Sequence, residues 1–441
     1  MSATDLHAVI FSGGGADGAY QIGVAKALFN GKSRSTYLEP LDPAVFTGTS
    51  IGSFNSSFLV SQWADYGPSA VANLEKVWLE RMSWTGPSNG GFRVRLNPFE
   101  LLDPRPYLKE PFAFRPLRHL ATDLGVVGWE GLNRTYNLFA SKDPLLERLT
   151  DFFNLSTFVA AEPWEKTIQE TIDFKKIRQS NKKLSIAATN WAFGEVREFN
   201  NGDMTDKLGP AAIRASSSVP GVYPAATVGA QTYVDGAVLM NTPLKPAISG
   251  LVDILKDDPN AALWDEPYRE AKQKAEEAEA YGQPLDPPDL VLHVIYMNTD
   301  VEKMPIDALQ STLQTLYRTQ IIGWAAAVNR DILRSSLLNR GIELLNDPER
   351  LEKGLTGEQA EVIKASGKAL LDKLNSGNPY RPLTIHRYFP PDGLDGALGF
   401  LDVRRGRFER LIDEGFHNTV AHDCQANQCV LAGRHKDLAL R

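Results

Sequence analysis

Two stretches of this 441-residue chain carry residue types that can do chemistry together. The first is Gly48-Thr49-Ser50-Ile51-Gly52, which follows a β-prone run (Ala44-Val45-Phe46-Thr47) and precedes apolar residues at helical spacing (Phe54, Phe58, Leu59). Between a strand and a helix, Gly48 and Gly52 permit a sharp turn that lifts the Ser50 hydroxyl out of the backbone. The hydroxyl then sits at a helix N-terminus, where unpaired N–H groups and the helix dipole favour negative charge. A nucleophilic serine needs that setting, yet Gly and Ser are common in turns, and a plain strand–helix turn has the same spelling. The second stretch is Gly13-Gly14-Gly15-Ala16-Asp17-Gly18. It lies between a buried strand at residues 7–12 and a helix with Ala19, Ile22, Ala25, Leu28 and Phe29 on its apolar positions. Bare backbone N–H groups converge in such a loop and cradle negative charge. A dinucleotide site would match Gly13-x-Gly15-x-x-Gly18 but wants an acidic residue closing the next strand, which here ends in the Ser50 turn. A nucleotide P-loop wants Gly-Lys-Ser/Thr, and the chain has Gly18-Ala19-Tyr20. An oxyanion hole uses the same physics and suits a serine nucleophile better. Asp17 also reads as a helix cap.

Serine attack needs a base. A Ser–His–acid triad would place a histidine late in the chain, where His386, His417 and His422 stand without any supporting local motif. A dyad would use Asp235, in Asp235-Gly236-Ala237 at the end of a short strand (Gln231-Thr232-Tyr233-Val234). From the residues alone both arrangements stay open.

The elements that must position these groups alternate between strands and helices, which implies an α/β sandwich around a mostly parallel sheet. Such sheets carry sites at the carboxyl ends of strands, where the Gly13 loop, the Ser50 turn and Asp235 all fall. Residues 134–140 and 184–190 read as strands, with residues 196–199 returning after a turn at Gly194. Residues 70–84 and 208–215 read as helices. The Pro- and aromatic-rich residues 97–114 read as a packed excursion, with an acyl-binding lid as the functional alternative; Arg115, Arg118 and His119 read as a solvated face. Residues 265–283 are charged and Ala-rich, as in a solvated helix. Residues 289–296 form a continuous apolar run, a buried parallel strand that returns the chain to the core. Residues 305–340 and 357–374 read as helical, 383–389 as a strand and 407–416 as a last helix. The organisation expected is a catalytic core over residues 7–245, with residues 246–441 completing the same α/β domain and adding helical extensions.

Composition narrows the function classes. The chain is 43% hydrophobic and 23% charged, ordinary for a soluble globular protein. A net charge of -7 and the lack of a basic tail argue against a nucleic-acid partner. No apolar run approaches the ~18 residues of a membrane span, and residues 1–7 lack the basic and apolar regions of a signal peptide. The expected location is cytoplasmic, with any membrane contact peripheral. Cys424 and Cys429 are the only cysteines, which fits a reducing compartment. His417, His422 and His435 lie near them, so a metal cluster is conceivable, but ordinary packed or exposed side chains are the favoured reading. No acidic loop of the EF-hand type is present.

Taken in order, these motifs resemble the patatin-like phospholipases, a family of lipid acyl hydrolases, over residues 8–243. Gly13-Gly14-Gly15-Ala16-Asp17-Gly18 is similar to the family's oxyanion loop, Gly48-Thr49-Ser50-Ile51-Gly52 to its nucleophile elbow, and Asp235-Gly236-Ala237 to its dyad motif. Ala215-Ser216-Ser217-Ser218-Val219-Pro220 with Tyr223-Pro224, and residues 97–103, are similar to further family segments. The resemblance implies a patatin-like three-layer sandwich and a Ser50–Asp235 dyad acting on carboxylic esters of lipids. It implies oxyanion donors from Gly14, Gly15 and Ile51, an acyl-Ser50 intermediate, and no metal or organic cofactor. A carboxylesterase or acyltransferase on another acyl substrate, and a catalytically silent or partner-activated membrane-binding protein, are the alternatives. The chain departs from the family at Asp17, where Arg or Lys is usual. A carboxylate pointing inward would oppose an oxyanion or an anionic head group; the family's hole is mainly backbone N–H, so Asp17 can turn outward without abolishing it, and strong selectivity for anionic phospholipids is not expected.

Overall fold

A computed structural model describes residues 5–84, 90–91, 93–95, 115–140, 159–257, 288–297, 312–345, 381–391 and 399–439, with isolated positions between 357 and 369. The sequence expectations for residues 97–114, 265–283 and most of 357–374 lie outside the described residues.

Among the described residues, eight strands form one mixed sheet. They are β1 (Leu6–Phe11), β2 (Val45–Thr49), β5 (Lys183–Asn190), β6 (Glu195–Asn200), β7 (Ala226–Val228), β8 (Gln231–Asp235), β9 (Leu290–Ile295) and β10 (Leu383–Tyr388). The order is β10-β9-β1-β2-β5-β8-β7, with β6 also paired to β5. The run from β10 to β5 is parallel, while β6, β7 and β8 join antiparallel. A separate two-residue pairing joins β3 (Arg93–Val94) to β4 (Val159–Ala160).

Side-chain alternation along the buried strands builds the layers. Val9 and Phe11 of β1 enter one apolar cluster with α1 (Gly18–Phe29), α2 (Ile51–Tyr66), α3 (Ala70–Val77) and the C-terminal helix Arg405–Val420. Ala8 and Ile10 enter the other, against the helix Leu244–Asp257 and part of the long helix Thr312–Leu345. The result is a three-layer α/β sandwich, as the alternating pattern implied. The strands at residues 289–296 and 383–389 join the sheet that holds β1 and β2.

Helix α2 is buried along most of its length although it is serine-rich. Three of its four serine hydroxyls bond back to the helix backbone: Ser53 donates to Ser50 O, Ser56 to Gly52 O and Ser61 to Phe58 O, while the buried Ser57 hydroxyl has no partner among the described residues. One strand expectation fails. Residues 134–140 belong to the helix Arg115–Ala140. A run rich in Tyr, Leu and Phe has no fixed preference, and a helix already under way adds one hydrogen bond per residue without a new nucleus.

Candidate active site

Pairing register brings the two motifs to one point. β2 lies beside residues 183–187 of β5, ending at Thr49↔Ala187. β8 comes from the opposite direction beside residues 188–190 and ends at Ala188↔Asp235. Two strands therefore finish against adjacent residues of β5, one carrying Ser50 as its next residue and the other ending in Asp235.

The turn at Ser50 is forced by close approach. A Cβ on Gly52 would lie 2.1 Å from Phe11 O, and one on Gly48 would lie 2.1 Å from Gly52 O. Ser50 itself has φ 56° and ψ -125°, a region that a residue with a Cβ seldom occupies. Strain of that kind costs on the order of 1–3 kcal/mol and persists where surrounding contacts over-determine the backbone. Here the Ser50 N–H donates to Ser216 Oγ at 2.9 Å, and the Ser216 hydroxyl donates to Ala187 O at 2.6 Å.

The Ser50 hydroxyl donates to Asp235 Oδ2 at 2.6 Å, and the Ala237 N–H donates to Asp235 Oδ1 at 2.8 Å. Both side chains are buried. Burial pushes the Asp235 carboxyl up to about 7, against the two hydrogen bonds, which pull it down. The carboxylate therefore exchanges its proton near neutral pH while in contact with the serine hydroxyl.

The residues after Asp235 lace the loops together. Gly13 N–H donates to Asn241 O at 3.1 Å, and Ser12 Oγ meets Thr242 Oγ1 at 2.8 Å. Thr49 Oγ1 donates to Met240 O at 2.8 Å, and Thr47 Oγ1 to Pro243 O at 3.2 Å. The five loop and helix positions expected to serve an oxyanion thus divide. The N–H groups of Gly13 and Gly18 are occupied, Gly18 by Gly15 O and Ala16 O. Those of Gly14, Gly15 and Ile51 have no acceptor among the described residues. Gly13 also packs on the serine: a Cβ there would lie 3.1 Å from Ser50 Cβ and 2.5 Å from Asn241 Oδ1. The Asn241 amide is buried, and neither its nitrogen nor its oxygen has a partner among the described residues. Gly236 approaches Ala187 O, where a Cβ would lie at 2.2 Å.

The triad arrangement is not formed. No histidine among the described residues hydrogen-bonds to Ser50 or Asp235. His417 Nδ1 lies 2.7 Å from Asp413 O, and His386 and His422 lie against Cys424.

Asp17 does not turn outward. It is buried, and its Oδ1 accepts from Arg407 on the C-terminal helix at 2.5 Å. Nor does its side chain cap α1. A guanidinium therefore reaches this loop from 390 residues further along the chain, where it pairs with the Asp17 carboxylate. Sequence reasoning missed Arg407, Ser216 and Asn241. Ser216 stood within a quoted segment but among three serines, and only Asn241 had a visible cue, its closeness to Asp235.

A family model described as Patatin-like phospholipase matches residues 9–248. Among solved structures, the crystal structure of VipD from Legionella pneumophila is similar at 12% identity and a TM-score of 0.30, covering 94% of this chain and 67% of that one. No curated protein matches the chain.

Proposed function

This chain belongs to the patatin-like phospholipase family, and from that premise we propose that it is a serine lipid acyl hydrolase of the phospholipase A or lysophospholipase type, working through Ser50 and Asp235. The observation that carries the reading is the 2.6 Å hydrogen bond from a strained, buried serine to a carboxylate whose proton affinity burial has raised. Ser50 Oγ attacks the ester carbonyl while Asp235 takes its proton. The N–H groups of Gly14, Gly15 and Ile51 receive the developing oxyanion; losing one such donor costs about 2.7–4 kcal/mol of barrier. Collapse expels the alcohol, which regains the proton, and leaves acyl-Ser50. Asp235 then deprotonates the water that releases the acid. The unpartnered Asn241 amide beside Gly13 is a polar group that bound substrate can satisfy.

The rim supports an apolar acyl substrate. Val238 and Leu239, just after the dyad motif, are substantially exposed, as are Trp191 and Phe193. The latter two lie in the β5–β6 turn, at the end of β5 that points the same way as the end of β2. Contact with a lipid surface is thus peripheral in this reading: among the described residues, no helix is long and apolar enough to cross a membrane. The expected domain organisation, a core over residues 7–245 completed by residues 246–441, is carried forward as part of the same proposal.

The test is labelling with a serine-directed fluorophosphonate, followed by mass-spectrometric product analysis on a mixed lipid extract. Wild type should label and release fatty acid; Ser50→Ala should do neither. A folded wild-type protein that neither labels nor hydrolyses, with or without vesicles, would remove the enzyme reading.

A further inference from the structure

Outside the candidate active site, the densest cluster of reactive side chains among the described residues that the proposed mechanism does not use lies where β10 meets the segment after the C-terminal helix. His386 on β10 and His422, Cys424 and Cys429, just beyond that helix, converge so that one ligand atom from each lies within 4.8 Å of all the others. Cys424 Sγ is 3.6 Å from His386 Nδ1 and 3.6 Å from His422 Nε2; Cys429 Sγ is 3.4 Å from His422 Nε2. A tetrahedral zinc ion holds sulfur at about 2.3 Å and nitrogen at about 2.0–2.1 Å, which separates S and N ligands by about 3.5–3.6 Å. The three separations observed match that edge length.

The fold prearranges the four ligands. His386 is set by strand register opposite His293, on whose ring it stacks with centroids 5.3 Å apart. The Asn427 amide lies 3.2 Å from His422 Nδ1 and donates to Arg387 O at 2.9 Å, leaving Nε2 of His422 to face both sulfurs. Cys429 N–H donates to Cys424 O at 2.9 Å, closing the turn that brings the thiols together. Two backbone hydrogen bonds between Ile385 and Val430, at 3.0 and 2.7 Å, dock the end of that turn on β10. Three of the four ligands are buried and Cys429 is half-buried.

The chemistry of the set selects the ion. Two thiolates and two imidazoles make a neutral site with a divalent cation, and soft sulfur with borderline nitrogen in a closed four-coordinate shell suits zinc rather than calcium or magnesium. Both cysteines are free rather than joined to each other. His417 and His435, the other histidines near the cysteines in sequence, are engaged elsewhere: His417 faces Asp413 O, and His435 Nε2 lies 3.0 Å from Asp5 Oδ2.

We propose that His386, His422, Cys424 and Cys429 bind one zinc ion in a closed structural site that pins the segment after the C-terminal helix to β10. The site stands independently of the hydrolase reading. Binding releases the thiol protons and stabilises the folded chain only, since no such cluster exists in the unfolded one. The pinned helix is also the one that presents Arg407 to Asp17 in the glycine loop.

The full chain, purified under reductant without chelator, should carry about one zinc per chain by elemental analysis. Cys424→Ser and Cys429→Ser should each lose most of it, and His417→Ala should keep it. Because a serine at either cysteine also alters packing, wild-type protein is read separately. Exchange into Co²⁺ should give the intense visible bands of tetrahedral cobalt and a near-ultraviolet sulfur-to-cobalt charge-transfer band. Failure of reduced, folded protein to bind Zn²⁺ or Co²⁺, a weak octahedral cobalt spectrum, or full zinc retention in both cysteine variants overturns the proposal. So does a Cys424–Cys429 disulfide in the native, metal-free protein. None of these outcomes bears on whether Ser50 labels.

Discussion

Replacing Asp235 with Asn should change stability in a pH-dependent way while abolishing turnover. Asn is nearly isosteric and can keep both contacts. Its Oδ1 accepts from the Ala237 N–H, and its Nδ2 donates to Ser50 Oγ, which needs only a rotated hydroxyl. What Asn cannot do is ionise. In the folded protein burial pushes the Asp235 carboxyl up to about 7, from the usual aspartate value of 3.8. Between those values the folded state binds more protons than the unfolded one, so wild-type stability falls as pH rises from about 4 to about 7 and is level above that. At 1.36 kcal/mol per pKa unit, the fall between pH 5 and pH 8 is about 2.5 kcal/mol. Asp235→Asn escapes it. Urea unfolding of both proteins at the two pH values should therefore show the variant gaining on wild type by about 2.5 kcal/mol on going from pH 5 to pH 8. The same shift makes wild-type kcat/KM rise with pH through a midpoint near 7 and level off about one unit above it, because only the carboxylate can accept the Ser50 proton. A stability difference independent of pH would refute the claim that burial raises the carboxyl. Hydrolysis retained in Asp235→Asn would refute its role as base.

Other outcomes follow from the contacts around the dyad. Ser216→Ala leaves the Ser50 N–H and Ala187 O without their shared partner; denaturant unfolding should register a loss of about 2 kcal/mol, and fluorophosphonate labelling should slow because the strained turn is no longer held. Arg407→Ala should cost about 3–5 kcal/mol by removing one buried partner of an ion pair with Asp17, and a neutral result by the same assay would mean the pair does not contribute to stability. Asp17→Arg alone should be similarly damaging, since it sets two guanidinium groups together, whereas Asp17→Arg combined with Arg407→Asp should recover more than half of the lost stability.

Much of the candidate site's geometry is legible in the sequence because its signals are local. Gly48 and Gly52 mark the turn, Asp235 closes a short strand, and apolar runs near residues 290 and 385 announced buried strands that the sheet contains. What escaped notice depends on chain segments meeting in space. No sequence spacing links Asp17 to Arg407 or Cys424 to His386. The helix through residues 134–140 was misread for a related reason: β-prone side chains set a local preference, but the helix begins at Arg115, well before them.

The pair formed by Asp17 and Arg407 also changes what the departure from the family means. A carboxylate in the oxyanion loop, taken alone, would repel the charge that develops on the ester oxygen. Held at 2.5 Å by a guanidinium that is itself buried, it contributes little net charge. In the proposed mechanism the loop would then offer a near-neutral background in which the N–H groups of Gly14 and Gly15 set the local field. A loop bearing an unpaired Arg or Lys would add long-range attraction for any anionic head group, and this chain lacks that attraction at Asp17. The expected consequence is selectivity governed by the acyl chain and its apolar rim. Rates on vesicles should accordingly differ little between zwitterionic and anionic lipids of equal chain length, and a strong preference for the anionic lipid would show that a cation elsewhere reaches the head group.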